Sequence, residues 1–299
     1  MMKRALKAYI DLTRAHFSFV WPLLFCSGLV LAFEAYGGFS WSLTIRAALI
    51  GLFGFEAGLV LNDYIDREID KKDIEFDKLT KYWRPFGERP LPSGLIQPRA
   101  ALTLFVILVA ISSTLIATLP YPNRLYVFAI MVYSYFAEFF YQVGKREQTS
   151  PLAQLVGRTD LSLFPVAGYL CYGLPDKTAL SYFLFFYPWT MAHLGLNDLI
   201  DIRNDEARNM KTVTAMYGTR GTAYWILSFT LLHLGIAPLF LMELGSIALN
   251  GFLTAFCLLV IANCMVMRQK DSQSGLRALP LFHLTMMIYA TAIILDYAF

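Results

Sequence analysis

Long apolar runs, separated by short segments rich in charge, Gly or Pro, set the pattern of this chain. Nine runs recur, near residues 16–33, 43–62, 100–119, 124–142, 152–174, 181–197, 223–243, 247–266 and 279–298. A run of about 18 or more apolar residues predicts a membrane-spanning helix, because roughly 20 residues cross the hydrocarbon. Several runs contain Gly or Pro, which membrane helices tolerate. None has the polar stripe that a surface helix of a soluble bundle would show. The expectation is an all-α, multi-pass membrane bundle of nine transmembrane helices, forming a single domain over residues 1–299. The longest polar stretch, about Asp63 to Arg99, is a loop rather than a soluble domain.

Composition agrees: 57% of residues are hydrophobic and only 16% charged, where soluble domains carry about 25%. The net charge of +3 says little, but its distribution gives an orientation. If the N-terminus is cytoplasmic, all of the 25 Lys and Arg except Arg46, Arg124, Arg158 and Lys177 fall in the N-terminal segment or in inner loops. The positive-inside rule then predicts that orientation. Cys26, Cys171, Cys257 and Cys264 lie in apolar runs and form neither a metal-spacing motif nor a disulfide framework. The first run has no small-residue cleavage site and reads as a retained span. Nothing in the pattern suggests a nucleic-acid partner.

Two polar stretches interrupt the pattern in the same way. Residues 61–70 read LNDYIDREID and residues 196–205 read LNDLIDIRND. Both begin where an even-numbered span ends, so both are expected on the cytoplasmic side. Asn62, Asp66 and Asp70 recur every four residues, as do Asn197, Asp201 and Asp205, so on a helix each set forms one column. Asp63 and Asp198 lie beside the columns. Carboxylates stacked at this spacing repel one another, and they crowd the negative end of the helix dipole. A divalent cation relieves both penalties. The donors are all oxygen, which favours Mg²⁺, with Mn²⁺ as the alternative, over Zn²⁺. One or two carboxylates per ion suffice when substrate phosphates complete the shell. Two facing columns at a membrane surface therefore point to a diphosphate held through bridging ions, two of them, with its apolar tail in the bundle: a prenyl diphosphate.

These residues resemble the UbiA superfamily of intramembrane prenyltransferases along essentially the whole chain. Asn62-Asp63-x-x-Asp66-x-x-x-Asp70 matches the family's N-D-x-x-D-x-x-x-D. Arg89-Pro90-Leu91-Pro92-Ser93-Gly94 matches its R-P-L-P-S-G signature. Asp198-x-x-Asp201-x-x-x-Asp205 is followed by Asn209-Met210-Lys211-Thr212, which resembles G-x-K-S/T with Asn in place of Gly. Two departures stand out: Glu88 replaces the usual Asn before the signature, and the connection from Asp70 to Arg89 is long and carries an extra Arg84-Pro85.

The resemblance implies Mg²⁺-dependent prenyl transfer from a diphosphate to an aromatic or other lipophilic acceptor, as in quinone, tetrapyrrole or ether-lipid synthesis. It implies a catalytic set of Asp66, Asp70, Asp201 and Asp205, with Asn62 and Asp198 as further metal ligands. Arg14 and Lys145 resemble basic positions of the family that contact the diphosphate, and Arg67 and Arg89 are further candidates. Arg158 and Asp160 fall within the fifth run, where ionisable groups are costly, and are expected to face the cavity. Glu56 is a candidate supporting group or acceptor-side base, and Asn197 a cavity residue. His193, one turn before Asn197, reads as a hydrogen-bonded interior histidine. Other readings are an ion-coupled transporter, whose sites usually lie near the midplane, a scaffold, or a cyclase or hydrolase of the same diphosphate. The acceptor, prenyl length and oligomeric state have no sequence signal.

Overall fold

The structure is a computed structural model and describes residues 2–242 and 244–299. Among these residues there are helices and turns and no strand. The helices are α1 Met2–Leu12, α2 Val20–Tyr36, α3 Trp41–Asp66, α4 Leu79–Trp83, α5 Pro98–Ala117, α6 Asn123–Gly144 and α7 Leu152–Gly157. They continue as α8 Thr159–Tyr169, α9 Lys177–Ile200, α10 Ile202–Ala207, α11 Val213–Leu241, α12 Ser246–Gln269 and α13 Ser272–Ala298.

Seven segments are long and apolar enough to cross a membrane: Ala15–Tyr36, α3, α5, α6, α11, α12 and α13. The other two runs of the sequence are helical but differ from that pattern. The fifth is divided at Arg158 into α7 and α8, of 6 and 11 residues. The sixth, α9, has 24 residues, but Ser181, Thr190, His193 and Asn197 dilute its apolar character. It is buried nearly all round, as expected of a helix at the centre of a bundle. It packs on α8, α11 and α13.

Helices α2, α3, α6, α8, α9 and α13 pack in succession around a ring and enclose a cavity, with α5 outside α3 and α12 outside α13. The outer faces of α5, α6, α11 and α12 expose Val106, Ile107, Phe136, Leu231 and Val260. A soluble protein seldom exposes apolar surface so continuously; lipid accommodates it. With no hydrophobic drive between helices in lipid, small residues that let backbones approach set the packing. At the α2–α8 crossing, a Cβ on Gly28 would overlap the Pro165 carbonyl oxygen, and one on Gly168 would overlap the Phe25 carbonyl oxygen. This contact places Phe25 and Phe164 edge to face, 5.1 Å apart, on the cavity wall.

The carboxylate columns expected on straight helices are interrupted. Helix α3 ends at Asp66, and Asp70 begins a 3₁₀ turn, Asp70–Lys72. Helix α9 ends at Ile200; Asp201 is the junction with α10, which carries Asp205. The same repulsion and dipole that disfavour such columns are relieved by these breaks. Asn209 has a φ of 57°, a left-handed conformation that Asn tolerates better than most residues. Its N–H donates to the Glu206 carbonyl, and the Met210 N–H to the Asp205 carbonyl at 2.8 Å. This is a helix-ending pair of bonds in which Gly is the usual residue, so Asn can replace the family's Gly here.

Candidate active site

The loop between α3 and α5 closes one end of the cavity and is pinned at several points. Asn204 of α10 accepts from the Ile74 and Glu75 N–H groups at 3.0 and 2.9 Å and donates to the Glu75 carbonyl at 2.8 Å. Asp11 of α1 accepts from the Phe86 and Glu88 N–H groups at 2.9 and 3.0 Å. The extra Arg84 is buried against Asp63 at 2.7 Å. Leu91 and Ile96, from the signature segment and just beyond it, pack with Leu12, Val60 and Ala101. Glu88 therefore contributes its backbone, not the side chain that distinguishes it from Asn, to this anchoring.

The acids of the first motif are paired with cations. Asp63 meets Arg14 at 3.0 Å and Arg84 at 2.7 Å. Asp66 meets Lys145 at 2.8 Å and Arg146 at 3.3 Å. Asp70 meets Arg89 at 2.6 Å, and Arg89 also holds Asp73 at 2.9 Å. Arg208 joins the two motifs. It lies 3.5 Å from Asp70, 3.5 Å from Asp201 and 3.8 Å from Asp205, and it hydrogen-bonds Asp73 at 2.5 Å. Burial, followed by the carboxylates of Asp201 and Asp198, pushes Asp205 well above the usual carboxylate range. Burial also raises Asp73, against the pull of Arg89.

The cavity has a volume of about 280 Å³. Its polar end is formed by Asn62, Asp63, Asp66 and Asp70 with Arg14, Arg84, Arg89, Lys145 and Arg208. Its other end is aromatic: Trp21 stacks on Phe55 at 3.6 Å, and Phe55 meets Phe164 at 5.1 Å. Arg158 and Asp160 line the wall, together with Glu138 and Asn197. Arg158 lies over the Tyr141 ring at 5.2 Å. Asn62 donates to Glu138 at 2.7 Å, and Lys145 also bonds Gln142.

Three expectations meet a different placement. Arg67 is not on the cavity wall; it donates to the Tyr64 carbonyl at 2.6 Å and lies 3.8 Å from Glu68. Glu56 is buried in α3 but is not part of the cavity wall. Asp198, Asp201 and Asp205 stand behind Arg208 rather than on the wall. Asp198 accepts the Val213 N–H at 2.9 Å, Asp205 the Thr212 hydroxyl at 2.8 Å, and Asp201 the Asn204 amide at 2.7 Å. Among the described residues no three Asp, Glu, His or Cys side chains gather around one point in the way a complete protein-only metal site requires. The chemistry of the set nevertheless fits Mg²⁺. Its donors are oxygens, Asp70 keeps a buried oxygen without a hydrogen bond, and such ions normally leave part of their shell to phosphate and water.

Sequence reasoning missed Arg208, Arg84, Asp73, Glu138 and His283. Arg208 was visible only as loop charge and Arg84 only as a departure from the family pattern, whereas Glu138 and His283 carry no local pattern.

Comparison with known proteins follows the same lines. The chain is 26% identical over 296 residues to digeranylgeranylglyceryl phosphate synthase of Thermococcus kodakarensis, covering 97% of both chains. It is 27% identical over 252 residues to 4-hydroxybenzoate octaprenyltransferase of Pectobacterium atrosepticum, covering 84% of this chain and 79% of that one. Its fold matches an apo UbiA homologue from Aeropyrum pernix with a TM-score of 0.74 at 19% identity, over 94% and 98% of the two chains. It also matches a UbiA homologue from Archaeoglobus fulgidus bound to DMAPP and Mg²⁺, with a TM-score of 0.69 at 14% identity, over 96% and 98%. The model of the UbiA prenyltransferase family matches residues 19–287, so this integral membrane protein belongs to that family and is a prenyltransferase.

Proposed function

We propose that the protein transfers a prenyl group from a prenyl diphosphate to an aromatic or other lipophilic acceptor within the membrane, in a Mg²⁺-dependent reaction. The observation that carries this reading is the polarity of one cavity, with carboxylates and cations at one end and aromatic rings at the other. Such a cavity suits a molecule with an anionic head and an apolar tail.

Asn62, Asp66 and Asp70 on the first motif, with Asp198, Asp201 and Asp205 on the second, would hold two Mg²⁺ ions, or Mn²⁺ in their place. The metal would neutralise charge on the departing diphosphate. Arg14, Arg89, Arg208 and Lys145 already face this end and add donors where that charge develops. Helix α4 and the pinned loop exclude water from the ionising bond. Trp21, Phe55 and Phe164 present rings to the allylic cation, which aromatic faces stabilise. The acceptor would enter beside Arg158, Asp160 and Asn197. Nine crossings, with the N-terminus and both motifs on the cytoplasmic side, agree with the charge bias; α8 and α9 would then complete the count.

The test is a product screen with purified protein, Mg²⁺, geranylgeranyl diphosphate and a panel of phenolic, naphthoic, tetrapyrrole and glycerol-phosphate acceptors, read by mass spectrometry. A prenylated acceptor that requires Mg²⁺ is the expected result. Diphosphate release without transfer to any acceptor would instead indicate a cyclase or hydrolase.

A further inference from the structure

His193 on α9 and His283 on α13 meet through their Nε2 atoms at 2.9 Å, and His283 Nδ1 meets the Tyr82 hydroxyl at 2.6 Å. Both histidines line the cavity and are buried. Tyr82 belongs to α4, in the loop that covers the polar end, and is only half-buried. At the other end of the chain, Asn197 Nδ2 donates to the His193 carbonyl at 3.2 Å and faces His193 Nδ1 at 3.5 Å. The Asn197 Oδ1 atom is buried, without a hydrogen-bond partner. Trp189 stacks on His193, and Trp83 packs on His283, so both rings are held in place.

One arrangement of hydrogens in this chain is consistent with the Asn197 contact. Because an Asn197 N–H faces His193 Nδ1, that nitrogen carries the lone pair. A neutral imidazole has a single N–H, so the His193 hydrogen is on Nε2 and is donated to His283 Nε2. The His283 hydrogen is then on Nδ1 and is donated to the Tyr82 oxygen. The Tyr82 hydrogen is left to point away from His283. Every hydrogen in the chain points from the cavity towards the loop.

We infer that Asn197, His193, His283 and Tyr82 form a proton exit path for the acceptor, an inference that rests on the transferase reading above. The acceptor hydroxyl donates to Asn197 Oδ1, which otherwise has no partner, and comes within reach of His193 Nδ1, whose contact with Asn197 is the longest in the chain. In the transfer, the prenyl C–O bond to diphosphate breaks and its electron pair leaves with the diphosphate. The acceptor oxygen forms the new bond to carbon, and its proton goes to His193 Nδ1. The Nε2 hydrogen of His193 then moves to His283 Nε2, the Nδ1 hydrogen of His283 to the Tyr82 oxygen, and the Tyr82 hydrogen to solvent. The proton thus leaves without placing a cation between the histidines. It also bypasses the Asp residues of the two motifs, of which Asp63, Asp66, Asp70, Asp201 and Asp205 are engaged with Arg or Lys and Asp198 with the Val213 N–H.

The test compares wild type, Tyr82→Phe and His283→Gln in Mg²⁺ with a prenyl diphosphate and a hydroxyl acceptor from the screen. Product formation and binding of a prenyl thiodiphosphate are measured separately. General acid–base groups contribute roughly 10²- to 10⁴-fold, so each variant should lose at least about 10-fold in product formation. Binding should stay within about 2-fold, and millimolar imidazole should restore part of the rate. A solvent deuterium isotope effect should be present in wild type and altered in both variants. If His283→Gln fails to fold, Tyr82→Phe, which loses a single oxygen, decides alone. Wild-type rates and isotope effects in Tyr82→Phe would overturn the relay and leave the transferase reading standing. Absence of any wild-type product would overturn both. Independently of turnover, ¹⁵N spectra should show His193 protonated at Nε2 and His283 at Nδ1; the same tautomer at both would contradict the path.

Discussion

Arg208 faces four carboxylates, Asp70, Asp73, Asp201 and Asp205, from a buried position. Removing one partner of a buried ion pair costs about 3–5 kcal/mol, because the other charge is left uncompensated. Arg208→Gln should therefore lower the thermal midpoint strongly in chelator, and Mg²⁺ should restore part of the loss by supplying charge to the same oxygens. Thermal unfolding in detergent with and without Mg²⁺ checks this, and equal losses in both conditions would contradict it. Asp66→Asn and Asp201→Asn keep size and one acceptor oxygen but remove charge. Each should lower turnover by at least about 100-fold, the scale of losing one preorganised electrostatic contact, with helical circular dichroism unchanged. At this scale the sequence singled out the candidate residues, since the two motifs and the signature are contiguous strings. It did not show their partners. Asp63 finds Arg84 only because the loop folds back over α3, and His193 finds His283 across two helices distant in sequence. Arg67 sits among the acids in sequence yet is not on the cavity wall, its guanidinium taken up by the Tyr64 carbonyl and Glu68.

Helices α2 and α8 cross backbone against backbone at Gly28 and Gly168. A methyl group at Gly168 would meet the Phe25 carbonyl, an atom that cannot rotate away. Overpacking of this kind typically costs 1–3 kcal/mol, and here it also displaces Phe25 and Phe164 from the cavity wall. Gly168→Ala should lower the thermal midpoint and weaken prenyl diphosphate binding together; binding unchanged at wild-type stability would contradict the packing argument. The position and type of the long helices were legible from apolar runs, because membrane helices need length and little else. The division of the fifth run at Arg158 was less so. Gly157, Arg158, Thr159 and Asp160 are a polar interruption, but an apolar window averages over it. The ends of α3 and α9 were misplaced for a different reason. A four-residue spacing describes a helix only if the helix continues, and carboxylates at its C-terminal end favour stopping.

For the molecule as a whole, the charge bias predicts that the loops after α3 and α10 share one side of the membrane. Single cysteines at Lys72 and Lys211, both exposed, should react with an impermeant reagent only from the cytoplasmic side, and one at Ser246 only from the other side. Labelling of the first two from opposite sides would separate the motifs. The central claim is that both motifs hold one prenyl diphosphate through metal. Without diphosphate, the motifs are linked by Arg208 and by few other bonds; without metal, a diphosphate would meet Asp63, Asp66 and Asp70 on the wall, with Asp201 and Asp205 behind Arg208. Each ligand should therefore raise the affinity for the other, by equal factors. Coupling of 1–3 kcal/mol, roughly 5- to 150-fold, is the ordinary range, and a direct phosphate–metal bond favours its upper end. Calorimetric titration of the wild-type protein with a non-hydrolysable prenyl thiodiphosphate, in millimolar Mg²⁺ and in chelator, measures this coupling directly. Binding should be at least about 10-fold tighter in Mg²⁺, within that range, and equal affinity in the two conditions would contradict a diphosphate held through metal.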